Sequence, residues 1–284
     1  MGCRSERLDA AGTQSRRSSP DLERHNLRQI GWLNQRGERN LSIVDLIEAG
    51  TLTAEIAALS WLAIERGAGF VTGAVPGGAG KTTLMAALLA FLPPGEQIVT
   101  VEDRTVIQKA LGGGVVCPAT VLAHEIGSGN WYGYIWGRDA ADFFALWRRG
   151  IRCVSCLHAD TPEGASRMLR SLGVSDDDLE RISLQVFMRA EAREDDIIRR
   201  VNSVECILGG RMRTLYRWRP AGDSIEAGVG RRELCGLLAA EYGWAQSEAQ
   251  DRWEVYARCL ERLQREGVRE FGEVRRAILQ AYGA

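Results

Sequence analysis

The sequence predicts an α/β fold with a mainly parallel sheet and a helical C-terminal region. Three observations carry that expectation. Residues 69–72 read as a short apolar strand, 73–80 as a glycine-rich loop, and 83–91 as an apolar helix that stops before Pro93 and Pro94. Strand and helix patterns alternate from residue 97 to 218. From Arg231 onward the pattern is purely helical, and alternation followed by a helical tail is how a layered α/β domain reads in sequence.

The elements follow in order. Residues 1 to about 27 are rich in Arg, Ser, Asp and Glu with few large apolar residues, so a disordered leader is expected. Residues 41–47 have a short apolar period, and 53–65 form an amphipathic helix with Thr53 as N-cap and Gly67 as its stop. Residues 97–101 are a buried strand delivering Glu102 and Asp103 at its C-terminal end, the edge where open α/β sheets place their chemistry. Gly112, Gly113 and Gly114 open a flexible segment, 131–136 read as a strand, 139–147 as a helix, and 152–157 as a strand leading into His158. A helix over 162–172 and strands over 186–188, 200–208 and 212–218 complete the sheet; helices are expected over 248–266 and 271–282. Domain bounds follow: a leader and N-terminal remnant at 1–40, the α/β core at 41–220 and a helical subdomain at 221–284.

Composition narrows the classes. The chain has 284 residues and a net charge of −1, so whole-chain electrostatics predict no nucleic-acid or membrane partner. No run of about 18 uncharged apolar residues occurs, and the N-terminal arginines precede no hydrophobic segment, so neither a spanning helix nor a secretory signal is expected. Seven scattered cysteines fit reduced, cytosolic thiols, and Cys153 and Cys156 read as buried structural thiols on a core strand. Trp131, Trp136 and Trp147 are expected to pack the core.

Strand, glycine-rich loop, Gly80-Lys81-Thr82 and helix together form the context of a phosphate-binding P-loop. Glycines let successive N–H groups converge on an anion, and the helix N-terminus adds partial positive charge. Gly77, Gly78, Ala79, Gly80, Lys81, Thr82 and Thr83 are the candidate nucleotide-binding residues, with Lys81 along the β- and γ-phosphates and Thr82 on Mg²⁺. One position departs from the pattern: the first glycine is Val75, which Pro76 biases towards extended backbone.

Several segments agree in order and spacing: residues 45–51, 61–65, the P-loop, 91–94, 98–103, 137–140, 157–160, Glu163-Gly164, Arg200-Val201 and 266–274. On these the chain resembles the secretion ATPase superfamily, the motors of type II secretion, type IV pili and type IV secretion. Within it the pattern is most similar to archaeal pilus and archaellum assembly ATPases, over residues 40–284. The resemblance implies a RecA-like P-loop core that binds ATP and Mg²⁺ in a homo-hexamer or a mixed ring with a paralogue. It also implies a cytoplasmic protein held at the membrane by an embedded platform protein. Only about 40 residues precede the match, so most of the family's N-terminal domain is expected to be missing.

The chain departs from the family at positions that matter for hydrolysis. The acidic box keeps Glu102 and Asp103 but has Val106 at its third acidic position. Counting back from His158, the Walker B glycine falls on Gly133, its glutamate on Tyr134 and the following arginine on Trp136. A phenol with an ordinary pKa near 10 cannot serve as a resting anionic base at neutral pH, which leads to the expectation of a weakened motor or a pseudo-ATPase. Glu102 is then the candidate water-positioning carboxylate, against the plain alternative of a solvated loop residue. Asp139 could join the Mg²⁺ sphere or cap its helix, and the cap is favoured. His158 could sense the γ-phosphate or be satisfied by neighbours. Arg199 and Arg200 could reach a neighbouring subunit's phosphates or be exposed strand residues. A regulatory, non-hydrolysing ring subunit is the competing function, and a small-molecule kinase ranks third because the tail does not resemble a kinase lid.

Overall fold

The structure is a computed structural model and describes residues 18–34, 37–75, 77–128, 133–193 and 196–282. The chain opens with α1 (Pro20–Gly31), α2 (Ile43–Glu48) and α3 (Ala54–Glu65), then β1 (Phe70–Gly73), α4 (Lys81–Leu89) and β2 (Gln97–Thr100). It continues through α5 (Arg104–Leu111), β3 (Ala119–Leu122), β4 (Glu125–Ile126), β5 (Tyr134–Ile135), α6 (Arg138–Phe144), β6 (Arg152–Leu157), α7 (Pro162–Ser171) and α8 (Asp176–Leu179). The remainder is β7 (Leu184–Arg193), β8 (Asp196–Leu208), β9 (Arg211–Arg219), β10 (Ser224–Ala227), α9 (Arg231–Tyr242), α10 (Gln246–Arg265) and α11 (Phe271–Ala281).

Among the described residues one sheet runs β10-β9-β8-β7-β1-β6-β3-β2, with β4 beside β6 and β5 beside β4. From β2 to β7 the pairs are parallel; β7 to β10 form an antiparallel extension. Strands β1, β3 and β6 are buried on both faces, as helix-covered strands must be, while the edge strand β2 is half-buried at alternate residues. Phe70 faces one core and Val71 the other, and Val154 and Leu157 of β6 divide the same way. The first core packs α2, α3, α4 and the C-terminal helices; the second packs α5, α6, α7 and α8. Trp61 of α3 stacks on Tyr256 of α10 at 3.9 Å and on Phe91 at 5.1 Å. The C-terminal helices therefore share one core with α3 and α4.

The parallel strands are pinned at their N-terminal ends by a buried ion pair. Arg152 donates to Glu96 at 2.7 and 2.9 Å, Thr120 donates to the same carboxylate at 2.5 Å, and Arg152 also donates to the Ala68 carbonyl at 2.7 Å. The opposite, C-terminal ends are left for the site.

Three expectations change. The expected disordered leader runs to about residue 27, yet from Pro20 onward it belongs to α1, capped by Ser19 and docked on the sheet edge through Asn26; residues 1–17 lie outside the described residues. Of the strand expected over 131–136, only Tyr134–Ile135 is a strand, and Trp131 lies outside the described residues. Trp136 is 45% exposed rather than in the core, while Trp147 packs under the Arg181 guanidinium and donates to Asp178 at 2.5 Å. Cys153 and Cys156 are buried thiols as expected, with burial first pushing Cys156 up to about 12. Among the described residues no helix is long and apolar enough to cross a membrane.

Candidate functional site

The loop after β1 turns into α4 at Gly80, whose φ of +95° only glycine adopts without strain. A side chain there would also press on the Met188 methyl at 3.2 Å. Gly80 is the N-cap of α4 and offers no side-chain acceptor, so the first amides of the helix stay open to an anion. Thr72 of β1 donates to the Lys81 carbonyl at 3.1 Å and fixes the first turn against the sheet.

A cavity of about 970 Å³ opens over this loop. Gly77, Gly78, Gly80, Lys81, Thr82 and Thr83 form one wall; Ala79 is buried within the loop. The second wall is built by His124, Glu125, Tyr134 and His158. Arg199 and Arg200 stand on a third side, and the segment holding Asn34, Arg39 and Asn40 closes the fourth.

Glu125 joins the first two walls. Its carboxylate is 6% exposed; Oε1 lies 3.1 Å from Lys81 Nζ and 2.7 Å from His158 Nε2, and Tyr134 donates its hydroxyl to Oε2 at 2.8 Å. Neither contact to Oε1 is aligned as a hydrogen bond, so a buried anionic oxygen faces the cavity with unused acceptor capacity. Backbone geometry holds the residue in place: the Gly133 carbonyl accepts from the His124 amide at 2.9 Å and the Glu125 amide at 3.4 Å. A Cβ at Gly133 would meet the His124 Cβ at 2.9 Å, so the close approach of β5 to β4 requires glycine there.

The carboxylate that meets the P-loop lysine is thus Glu125, and the count that put the Walker B glutamate at Tyr134 is corrected. Tyr134 lies opposite Glu125 in the β4–β5 register and is its hydrogen-bond donor. A signal for Glu125 did exist in the sequence: the apolar run Ala119 to Ala123 ends at His124-Glu125, as a buried strand ends at a site.

Other candidates are placed differently. Glu102 is exposed and does not line the cavity, which removes it as the water-positioning carboxylate; its neighbour Asp103 caps α5 by accepting from the Thr105 amide at 2.7 Å. Asp139 lies in the first turn of α6, 3.4 Å from Arg104 and outside the cavity wall, so the metal role expected for it fails. It does not cap α6 either, whose N-cap Gly137 has no side-chain bond. His158 is half exposed and sits on Glu125. Arg199 donates to the Gly78 carbonyl of its own P-loop at 3.1 Å, and Arg200 pairs twice with Asp223 at 2.9 Å. That pairing holds Asp223 down at about 2, through hydrogen bonds from Arg200 first and Trp218 second.

For Mg²⁺ the donor set fits. Thr82 and Glu125 offer hard oxygens, Glu125 Oε1 has spare acceptor capacity, and the nearby Cys156 stays a protonated thiol.

A P-loop strand separated by one strand from the strand leading to Glu125 defines a P-loop α/β fold of RecA-like order. No family model matches the chain. The chain is 26% identical over 249 residues to the uncharacterized protein MJ1287 of Methanocaldococcus jannaschii, covering 77% of this chain and 90% of that one. It is 25% identical over 272 residues to MJ0900 of the same organism, covering 85% of this chain and about half (49%) of that uncharacterized protein. The VirB11 ATPase from the Brucella suis type IV secretion system aligns at 18% identity and a TM-score of 0.41, over 66% of this chain and 58% of that one. The Legionella pneumophila ATPase DotB aligns at 12% identity and a TM-score of 0.39, over 84% and 65%.

Proposed function

We propose that this chain is a divergent secretion-type ATPase that hydrolyses Mg²⁺–ATP. The observation that carries the reading is the buried Glu125 carboxylate held between the P-loop lysine and His158. In this reading the loop amides and Lys81 take the phosphates, and Thr82 and Glu125 hold the Mg²⁺ shell. The bound ion would supply neutralisation of the phosphate charge. Glu125 then orients the attacking water, with Tyr134 fixing one oxygen and His158 beside the other. Arg199, which donates to the Gly78 carbonyl, would add charge at the phosphates of its own subunit.

The order of the sequence motifs supports the finer proposal. The chain would work as a homo-hexamer or a mixed ring with a paralogue, coupled to pilin or protein movement at a membrane-embedded platform. The non-hydrolysing alternative was argued from Tyr134 at the glutamate position together with Val106 and Trp136 at two further positions; Glu125 beside Lys81 speaks against the first of these grounds.

Calorimetry with Mg²⁺–ATP and phosphate release at saturating ATP test the reading on the full chain. Lys81→Ala should abolish binding. Glu125→Gln should bind ATP but release phosphate about 10²- to 10⁴-fold more slowly. Binding by the wild-type chain without any turnover would favour the regulatory-subunit reading, and no binding would end both.

A further inference from the structure

His124 is a polar side chain in search of a partner. The residue is 7% exposed and lines the cavity, yet neither ring nitrogen has a hydrogen-bond partner among the described residues. Its ring is held by stacking on Tyr134, at 5.6 Å between centroids and 18° between planes. Burying an imidazole without a bond costs free energy, and an orphaned group on a cavity wall is satisfied when the cavity fills.

We propose that His124 is a substrate-contacting residue that hydrogen-bonds the terminal phosphate of a bound nucleoside triphosphate; this rests on the nucleotide reading of the cavity. The placement follows from its neighbours. The loop amides and the N-terminus of α4 serve the inner phosphates, while Lys81 extends away from them to meet Glu125. His124 lines the same cavity and stacks on Tyr134, whose hydroxyl holds Glu125, so its ring belongs to the Lys81–Glu125 end where the terminal phosphate would lie. An imidazole there offers an N–H donor for a phosphoryl oxygen. The contact exists for a triphosphate and is lost for a diphosphate, so His124 would let the site tell the two apart.

Calorimetry on the full chain with Mg²⁺ and either ADP or a non-hydrolysable ATP analogue tests this. His124→Ala should weaken the analogue about tenfold or more and leave ADP within about twofold. His124→Asn, which keeps an N–H donor, should recover part of the loss. Without nucleotide, His124→Phe, which keeps the stacked ring and removes the unsatisfied nitrogens, should unfold no earlier than wild type, whereas a structurally hydrogen-bonded histidine would show a lower midpoint. Equal weakening of both nucleotides, or no weakening, overturns the role of His124 while leaving the nucleotide site intact. A wild-type chain that binds neither nucleotide overturns the nucleotide reading and this inference with it.

Discussion

At the foot of the parallel strands Glu96 and Arg152 are both more than nine-tenths buried, and each satisfies the other. Burial alone would raise the Glu96 carboxyl; the Arg152 charge and its hydrogen bonds, with that of Thr120, outweigh it and hold Glu96 below its ordinary value. A carboxyl depressed on folding contributes stability that is present above its unfolded pKa and is lost as pH falls through the folded one. Glu96→Gln leaves the Arg152 charge without its counter-ion, which should cost about 3–5 kcal/mol at neutral pH. Its urea midpoint should also change less than that of wild type between about pH 5 and pH 3. Parallel pH curves for the two proteins would refute the linkage. Single residues at the site were only partly legible. Lys81 and Thr82 follow from local spacing, because a P-loop is one contiguous turn. Glu125 does not, since its role depends on β4 and β5 lying side by side. Two residues nine apart in sequence thereby become hydrogen-bonded neighbours, and counting from His158 selected the wrong member of the pair.

At the scale of elements, α1 shows how a polar segment is recruited into a fold. Its composition promises little apolar burial, which is why it reads as leader. What fixes it is a side-chain amide acting as a strand: Asn26 donates to the Glu96 carbonyl at 2.8 Å and accepts from the Ile98 amide at 2.9 Å, while His25 Nε2 lies 2.8 Å from the Ile98 carbonyl. Arg275 of α11 clamps Glu23 at 3.0 Å from the other side. Strand β2 is the edge of the sheet, and an open edge pairs with other chains. Asn26→Ala should leave two backbone groups unsatisfied, lowering stability by about 1–3 kcal/mol for each buried one. Light scattering should show concentration-dependent association that the wild-type chain lacks. An unchanged urea midpoint would mean that α1 is not what seals this edge. Strands β1, β2 and β6 of the parallel core and the α3 and C-terminal helices were legible, because apolar period and flanking caps are local; β3 was not among the expected strands, and α1 was missed because its contacts are with residues some seventy positions away.

For the whole molecule, the consequential fact is that the helical C-terminal region and the P-loop layer bury the same residues. Trp61 lies between them, stacked on Tyr256 of α10 and on Phe91 just past α4, and Tyr256 donates to Glu65 at 2.7 Å. Helical periodicity finds α9, α10 and α11 but cannot say which face of the sheet they cover, so a boundary near residue 221 looks like the start of a separate subdomain. A shared core couples the stability of both parts, whereas two cores joined by a linker would open independently. Trp61→Ala should remove about 3–5 kcal/mol and leave a cavity bounded by both layers. Hydrogen exchange followed by mass spectrometry should then show α4, β1, α10 and α11 losing protection by a common factor. If only α10 and α11 were released while α4 and β1 kept their protection, the C-terminal helices would be an appended unit. The P-loop would then gain no rigidity from them. A common loss would mean that the C-terminal helices and the start of α4, where Lys81 stands, open as one cooperative unit built on one packed core.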